Sequence, residues 1–152
     1  YKRINEGYEA PRYVSWARNN RSALVRVPIP KPGKVESTRV EYRALDPACN
    51  PYLAFSVLLA AGLRGIEDDL ELSPEAAVNL YDLSRDEQRE IGVDSLPDNL
   101  NEALDEMEAS ELVREALGDH IFEWFLRNKR AEWNEYQRQV TPFELDTYLP
   151  NW

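Results

Sequence analysis

A short charged stretch of the sequence alternates in a way that could line a binding site. Arg39, Glu41 and Arg43 occupy every second position, with Val40 and Tyr42 between them. In a β-strand this spacing places the three charged side chains on one face. One interpretation is a solvated face whose opposite charges pair along the strand. The other is the floor of a charged cavity, where Glu41 holds a cation and the arginines hold anions.

Two further arginines precede this stretch. Arg21 and Arg26 lie five residues apart in the run NNRSALVRVP, and an odd spacing would put them on opposite faces of one strand. Arg21 is therefore expected in the loop before the strand, where it can reach a ligand. A planar guanidinium binds carboxylate or phosphate oxygens in pairs and does not lose its proton, which suits an anion site.

Charge is divided unevenly along the chain. The 152 residues carry a net charge of −10, which argues against nucleic acid as the main partner. Residues 1–43 nevertheless hold ten Lys and Arg against four Glu, a net +6, so the rest of the chain carries −16. A basic segment within an acidic chain predicts a local anion site.

Composition excludes several kinds of site. Cys49 is the only cysteine and His120 the only histidine, so the chain can form neither an internal disulfide nor a Cys/His zinc site. His120 is interpreted as a surface or helix-start residue rather than a catalytic base.

The sequence gives no sign of a membrane or export segment. The longest apolar stretch, Tyr52 to Leu63, is too short to cross a membrane and predicts a buried helix. No export signal opens the sequence, and a cytoplasmic location is expected. A start at Tyr1 rather than Met predicts an excerpted or processed chain.

The elements that would position the charged residues change in type near Asp46-Pro47. Before this point, Gly/Pro loops separate three predicted strands, at residues 12–16, 23–27 and 38–43. After it the sequence predicts mostly helix, so the expected fold class is α+β. Three strands do not close a sheet, which predicts that other strands or a partner cover their edges.

The first helix is expected to begin at Asp46-Pro47, which offers an Asp cap and a proline at the first helical position. It is expected to stop near Gly62 or Gly65. Three more helices are predicted: one over residues 100–107, a longer one that includes residues 121–126 and ends near Gln139, and a short last one that opens with a capping box at residues 141–144.

Ordered blocks of the sequence resemble type I glutamine synthetases, the bacterial and archaeal type. The blocks are YKRINEGYEAP, NNRSALVRVP, TRVEYR, DPACNPYLAFSVLLAAGL and NLYDL, followed by GDHIFEWFLRNKRAEWNEYQRQVTPFELDTYLP. The resemblance covers essentially the whole chain and implies the C-terminal part of the family's catalytic domain. It implies antiparallel strands of the catalytic sheet in residues 1–45, and a helical region with the C-terminal tail in residues 46–152.

The resemblance implies roles in binding glutamate and ammonium. Arg3 and Arg43 match arginines that bind the substrate glutamate, Arg43 at its reacting end. Arg21 matches an arginine that contacts both an ATP phosphate and glutamate. Glu9 matches a flap glutamate that closes over the site, contacts the substrate and helps to remove a proton from ammonium. Glu9 and Arg21 are thus the catalytic candidates.

It also implies an ATP site and a metal site. Arg26 matches a second ATP-phosphate arginine, and Arg39 is placed near the nucleotide. Glu41 matches a ligand of the divalent metal, and a hard oxygen ligand suits Mg²⁺ or Mn²⁺. The adenine contact is expected in the loop before Arg39, with Lys34 and Glu36 as candidates.

The implied activity is ATP-dependent formation of glutamine from glutamate and ammonium through γ-glutamyl phosphate. The implied assembly is a dodecamer of two hexameric rings, with residues 143–152 as a docking segment or simply a packed last helix. Tyr81 matches a tyrosine that some members have adenylylated, and its alternative is a packing role. Two rival hypotheses remain: a γ-glutamyl ligase for another amine, and a catalytically silent structural or regulatory oligomer. Because other metal ligands lie outside these residues, the isolated chain is expected to be inactive.

Overall fold

Three short strands form one sheet in the order β1-β2-β3. They are β1 (Tyr13–Ala17), β2 (Ala23–Arg26) and β3 (Glu41–Tyr42). The computed structural model describes residues 4, 10–18, 20–76, 80, 87 and 93–151. Within them the strands are followed by four helices, α1 (Pro51–Glu67), α2 (Leu100–Ala109), α3 (Glu111–Tyr136) and α4 (Pro142–Tyr148). The expected α+β class is confirmed.

The sheet is mixed, which corrects the expectation of antiparallel strands for one of its two pairs. β2 and β3 are antiparallel, with Arg26 opposite Glu41. β1 and β2 are parallel, with Tyr13 opposite Ala23 and Ala17 opposite Arg26. Side-chain alternation is the same in both kinds of pairing, so the sequence pattern predicts a strand without its direction.

The third strand is shorter than predicted. A 3-10 turn, Val35–Ser37, precedes it, and the Thr38 hydroxyl donates to the Val35 carbonyl at 2.7 Å. This local hydrogen bond continues the turn, as Ser and Thr side chains often do. Strand pairing therefore begins only at Glu41, and Arg39 lies outside the strand.

Helix α1 begins later and ends later than predicted. Asn50 is its N-cap, and its side chain accepts hydrogen bonds from the backbone N–H groups of Tyr52 and Leu53. Asp46, the predicted cap, instead accepts from the Ala48 N–H in a turn. The prediction failed because Asp46-Pro47 and Asn50-Pro51 are both cap-and-proline signals, and the first of them closes a turn.

Helix α1 was also predicted to be buried, and this was wrong for the described part of the chain. None of its residues is buried, and it continues through both glycines to Glu67. Its exposed apolar residues recur at helical spacing, at positions 52, 55, 59, 63 and 66. No other described helix or strand packs extensively against this face.

The chain divides into two compact units, Tyr1–Asn99 and Leu100–Trp152. In the first, the buried apolar residues lie mainly on the first two strands and on two segments beside them: Ala10, Tyr13, Ala17, Ala23, Leu24 and Leu80. The Ala76 N–H donates to the Trp16 carbonyl at 3.0 Å, and the Val14 N–H donates to the Asp94 carbonyl at 2.8 Å. Residues far along the chain thus hold β1 in place.

The second unit is built on α2 and α3. Leu104, Phe122 and Leu126 form its core, and Phe122 is 0% exposed. Gly118 interrupts α3 with φ +73° and ψ 152°. Helix α3 ends at Tyr136, three residues before the predicted end.

The predicted capping box at the start of α4 is confirmed. The Glu144 carboxylate accepts from the Thr141 N–H at 2.7 Å, and the Thr141 hydroxyl accepts from the Glu144 N–H. In the described ranges, no helix has the length and apolar character needed to cross a membrane.

Candidate functional site

An ion pair joins the end of β2 to the start of β3. Arg26 and Glu41 face each other in the antiparallel register, and Nη1 of Arg26 lies 3.1 Å from Oε2 of Glu41. The side chains are 25% and 36% exposed, so both groups remain open to solvent at one side. The two residues are fifteen positions apart in the chain. Their contact therefore depends on the pairing of β2 with β3.

Arg43 adds a second guanidinium on the same carboxylate. Its Nε lies 3.6 Å from Oε1 of Glu41, and its side chain is 17% exposed. Its Nη1 donates to the backbone carbonyl of Ala23 at 3.2 Å and to that of Arg21. A planar fork can make these contacts at once, so Arg43 ties β3 to the turn before β2.

Arg21 lies in that turn, as the sequence predicted. Its backbone is held by Arg43, while its side chain is exposed. Among the residues that the structure describes, nothing bonds its guanidinium. Arg21 is thus anchored at the backbone with its charged end available.

The cluster formed by Arg21, Arg26, Glu41 and Arg43 has an excess of positive charge. Two guanidinium groups, from Arg26 and Arg43, share the single carboxylate of Glu41, and Arg21 adds a third positive charge through the connected turn. Nε of Arg26 is buried and has no hydrogen-bond partner in the described ranges. An unmet buried donor is unfavourable, and an anion is the group that such a cluster can accept.

Tyr42 belongs to the other face of β3. Burial raises the pKa of its hydroxyl, so the phenol keeps its proton at neutral pH. It is therefore unsuited to act as a base.

Three other predicted residues, Lys34, Glu36 and Arg39, are described by the structure, and no hydrogen bond or ion pair within the described ranges joins them to Arg26, Glu41 or Arg43. Arg39 donates from Nη1 to the Ser37 carbonyl at 3.3 Å and is exposed. Lys34 and Glu36 are exposed around the 3-10 turn. The predicted residues Arg3, Glu9 and Tyr81 lie outside the described residues.

Glu41 suits a hard cation by the chemistry of its oxygens, but only as one ligand of several. No set of three or more His, Cys, Asp or Glu side chains in the described ranges is placed to hold a metal ion. A six-coordinate Mg²⁺ would need further oxygens from elsewhere. The residue fits a shared site rather than a complete one.

Sequence reasoning overlooked Asn20 and Ser22. Oδ1 of Asn20 accepts from the N–H and hydroxyl of Ser22, and Nδ2 of Asn20 donates to the Ala76 carbonyl. The Ser22 hydroxyl also accepts from the Leu80 N–H. The only available signal was that Asn and Ser both favour turns with local hydrogen bonds, which names no distant partner.

Comparison with known proteins identifies the family. The family profile described as "Glutamine synthetase, catalytic domain" matches residues 1–148. The chain is 58% identical over 149 residues to glutamine synthetase of Mycobacterium tuberculosis, and 49% identical to that of Methanosarcina mazei. Each match covers 98% of this chain and 33% of the relative, so the chain spans about a third of the length of these relatives.

Solved structures are similar in fold. A structure of a GmaS/ADP complex superposes with a TM-score of 0.78 and 34% identity, over 93% of this chain and 30% of that one. The Plasmodium falciparum glutamine synthetase, solved by cryo-electron microscopy, superposes with a TM-score of 0.73 over 93% of this chain and 35% of that one. At 17% identity, this second likeness concerns the fold alone. The profile match and these identities together place the chain in the glutamine synthetase family.

Proposed function

We propose that the full-length protein forms glutamine from glutamate and ammonium, with ATP as the phosphoryl donor. The observation that carries the proposal is the convergence of Arg26, Glu41 and Arg43, joined through the Arg21 carbonyl to an exposed guanidinium. The relatives at 58% and 49% identity are named glutamine synthetase, which supports the same activity here.

The reaction brings two anions together. The γ-carboxylate of glutamate attacks the terminal phosphorus of ATP, the bond to ADP breaks, and γ-glutamyl phosphate forms. Ammonia then attacks the acyl carbon and phosphate leaves. Charge accumulates on the transferred phosphoryl group, so cations held in place beforehand lower the barrier.

The residues of this chain divide that task. We assign Arg21 and Arg26 to the phosphates of ATP, with Arg39 nearer the nucleotide. Arg43 supports the reacting end of glutamate, and its bonds to the Arg21 and Ala23 carbonyls keep that end close to the phosphate arginines. Removing an arginine that acts on the phosphoryl group lowers the rate by roughly 10³- to 10⁵-fold in other enzymes.

Three further assignments rest on the sequence resemblance. Arg3 binds glutamate, and Glu9, in a glycine-containing loop, covers the site and takes a proton from ammonium. Exclusion of water by such a loop protects an acyl phosphate from hydrolysis. Tyr81 is the candidate for adenylylation.

Glu41 is the proposed metal ligand. Its carboxylate is a hard oxygen donor beside the phosphate arginines, and it would hold Mg²⁺ or Mn²⁺ with ligands from outside this chain. The ion, when bound, shields phosphate charge and orients the terminal phosphoryl group. The Glu41 carboxylate also lies between the guanidinium groups of Arg26 and Arg43, because both of them pair with it.

We further propose a cytoplasmic homo-oligomer of two hexameric rings, with the C-terminal residues as a docking segment. The apolar residues exposed on α4 support this, since an exposed apolar helix gains stability when a partner covers it. The two compact units are proposed to be parts of one catalytic domain, since the matched profile spans both of them.

One rival within the enzymes is a γ-glutamyl ligase for another amine. The similarity to the GmaS/ADP complex supports a nucleotide site in either case, at 34% identity. A panel of amines offered to the full-length protein decides between the two. Ammonium as the best substrate supports the proposal, and a preference for another amine supports the rival.

The direct test removes Arg26. In the full-length protein, Arg26→Met should reduce glutamine formation by at least about 10³-fold, with phosphate release falling in parallel. Arg138→Met is a matched control, because Arg138 is exposed beyond the end of α3 and should leave the rate near wild type. Unchanged glutamine formation in Arg26→Met would contradict the role assigned to Arg26, and absence of glutamine formation by the wild-type full-length protein would support the catalytically silent alternative. The isolated chain should show no turnover, and activity from it alone would contradict the assignment of ligands to other segments.

A further inference from the structure

Arg21 lies in a turn that is held by hydrogen bonds between its two chain neighbours, Asn20 and Ser22. Oδ1 of Asn20 accepts from the Ser22 N–H at 2.9 Å and from the Ser22 hydroxyl at 2.8 Å. The amide and hydroxyl groups of Ser22 thus fold back onto Asn20, and Arg21 lies between them. This arrangement fixes the turn from inside.

The same two side chains reach a distant segment. Nδ2 of Asn20 donates to the Ala76 carbonyl at 3.0 Å, and the Ser22 hydroxyl accepts from the Leu80 N–H at 3.2 Å. Ser22 is 2% exposed and Leu80 is 0% exposed, so water cannot readily replace the second bond. The Ser22 hydroxyl uses both its donor and an acceptor position, which only a hydroxyl can do at this place.

Arg43 adds a further contact to the backbone of the turn. It donates to the carbonyl of Arg21, while Asn20 and Ser22, the residues on either side of Arg21, are hydrogen-bonded to each other. The backbone of Arg21 is therefore restrained at its carbonyl and through both of its chain neighbours, although its own side chain is exposed. Such restraint reduces the ordering needed when the guanidinium meets a ligand.

We infer that Asn20 and Ser22 are positioning residues that aim Arg21 at the phosphoryl group, with Ala76 and Leu80 as their anchor. This inference rests on the proposed function, because it presupposes that Arg21 acts on the substrate. In this proposal neither side chain contacts the reacting atoms. They act through the backbone of Arg21.

The test is a double-mutant cycle in the full-length protein. Ser22→Ala removes the hydroxyl and should lower kcat by about 10- to 100-fold, since a displacement of about 1 Å can have an effect of this size. Ser22→Thr keeps the hydroxyl and should recover most of the rate. In an Arg21→Ala background, Ser22→Ala should have little further effect on kcat. The use of radiolabelled glutamate makes the slow turnover of these variants measurable.

Two outcomes of the cycle would overturn the inference. One is that Ser22→Ala lowers kcat by the same factor with and without Arg21. The other is that it lowers only the unfolding temperature and leaves kcat unchanged, which is what a purely structural role predicts. Asn20→Ala provides a second variant if Ser22→Ala does not fold, and the same criteria apply to it.

Amide hydrogen exchange separates this inference from the proposed function. In Ser22→Ala the amides of Ser22 and Leu80 should exchange at least about tenfold faster than in wild type, since the network is opened. Unchanged exchange at both amides overturns the inference even if the protein makes glutamine. If the wild-type protein makes no glutamine, the proposed function fails, while faster exchange still supports the restraint of Arg21.

Discussion

The Glu41 carboxylate lies 3.1 Å from the guanidinium of Arg26, directly across the β2–β3 pairing. Arg43 pairs with the same carboxylate, so one negative charge lies between the guanidinium groups of Arg26 and Arg43. Its removal should therefore change anion binding and metal binding in opposite directions.

Glu41→Gln should tighten the binding of inorganic phosphate to the metal-free chain by a few-fold. The variant leaves Arg26 and Arg43 uncompensated, so the local potential becomes more positive. Phosphate titrations followed by NMR at constant ionic strength measure the change. Glu36→Gln, at an exposed position of the preceding turn, is the control and should have little effect. Weaker phosphate binding in Glu41→Gln would argue against an anion site here.

Gly118→Ala should lower the free energy of unfolding by about 1–3 kcal/mol. Gly118 has φ +73° and ψ 152°, a conformation that a residue with a Cβ rarely adopts. Beyond its chain neighbours and the backbone of its own helix, no atom of the described residues lies within 4 Å of an added Cβ. The effect is therefore conformational rather than steric. Gly62→Ala, in open space inside α1, should instead stabilise by about 0.5–1 kcal/mol. Urea unfolding measures both changes, and equal shifts would contradict the backbone explanation.

Phe122→Ala should lower the free energy of unfolding of the second unit by about 3–5 kcal/mol. The Phe122 ring is 0% exposed in the core, and the variant leaves a cavity among Leu104 and Leu126. Phe143→Ala removes the same group from a position that is 71% exposed and should change stability by less than about 0.5 kcal/mol in the isolated chain. Denaturant unfolding followed by helix circular dichroism provides the measurement. Similar effects of the two changes would disprove this packing.

The start of α4 should depend on pH. Hydrogen bonds from the Thr141 N–H and then the Thr141 hydroxyl lower the pKa of Glu144 below its ordinary value of 4.5. Because the folded-state pKa is the lower one, the stabilisation is fully present at neutral pH and is lost as the pH falls through that folded value. Carbon chemical shifts of residues 142–148 should show the helix fraying in this acidic range. Glu144→Gln has no group to titrate there, so an identical acid transition in that variant would rule out this cause.

Local sequence was sufficient for the features that depend on near neighbours. The capping box at Thr141 and Glu144 is confirmed because both partners lie within one helical turn. The strands containing Tyr13 and Ala23 were predicted within one or two residues, because alternating side chains mark an extended chain. The arginines and Glu41 were selected by residue type and by the order of the sequence blocks that resemble the family.

Tertiary contacts decided the rest. The parallel pairing of β1 with β2, the Arg26–Glu41 contact and the bonds from Asn20 and Ser22 to Ala76 and Leu80 all join residues that are distant in sequence. The periodicity of apolar residues and the secondary-structure propensities describe a residue's own segment. They do not indicate which other segment will pack beside it. The direction of a strand, the exposure of the apolar face of α1 and the network around Arg21 therefore followed only from the folded chain.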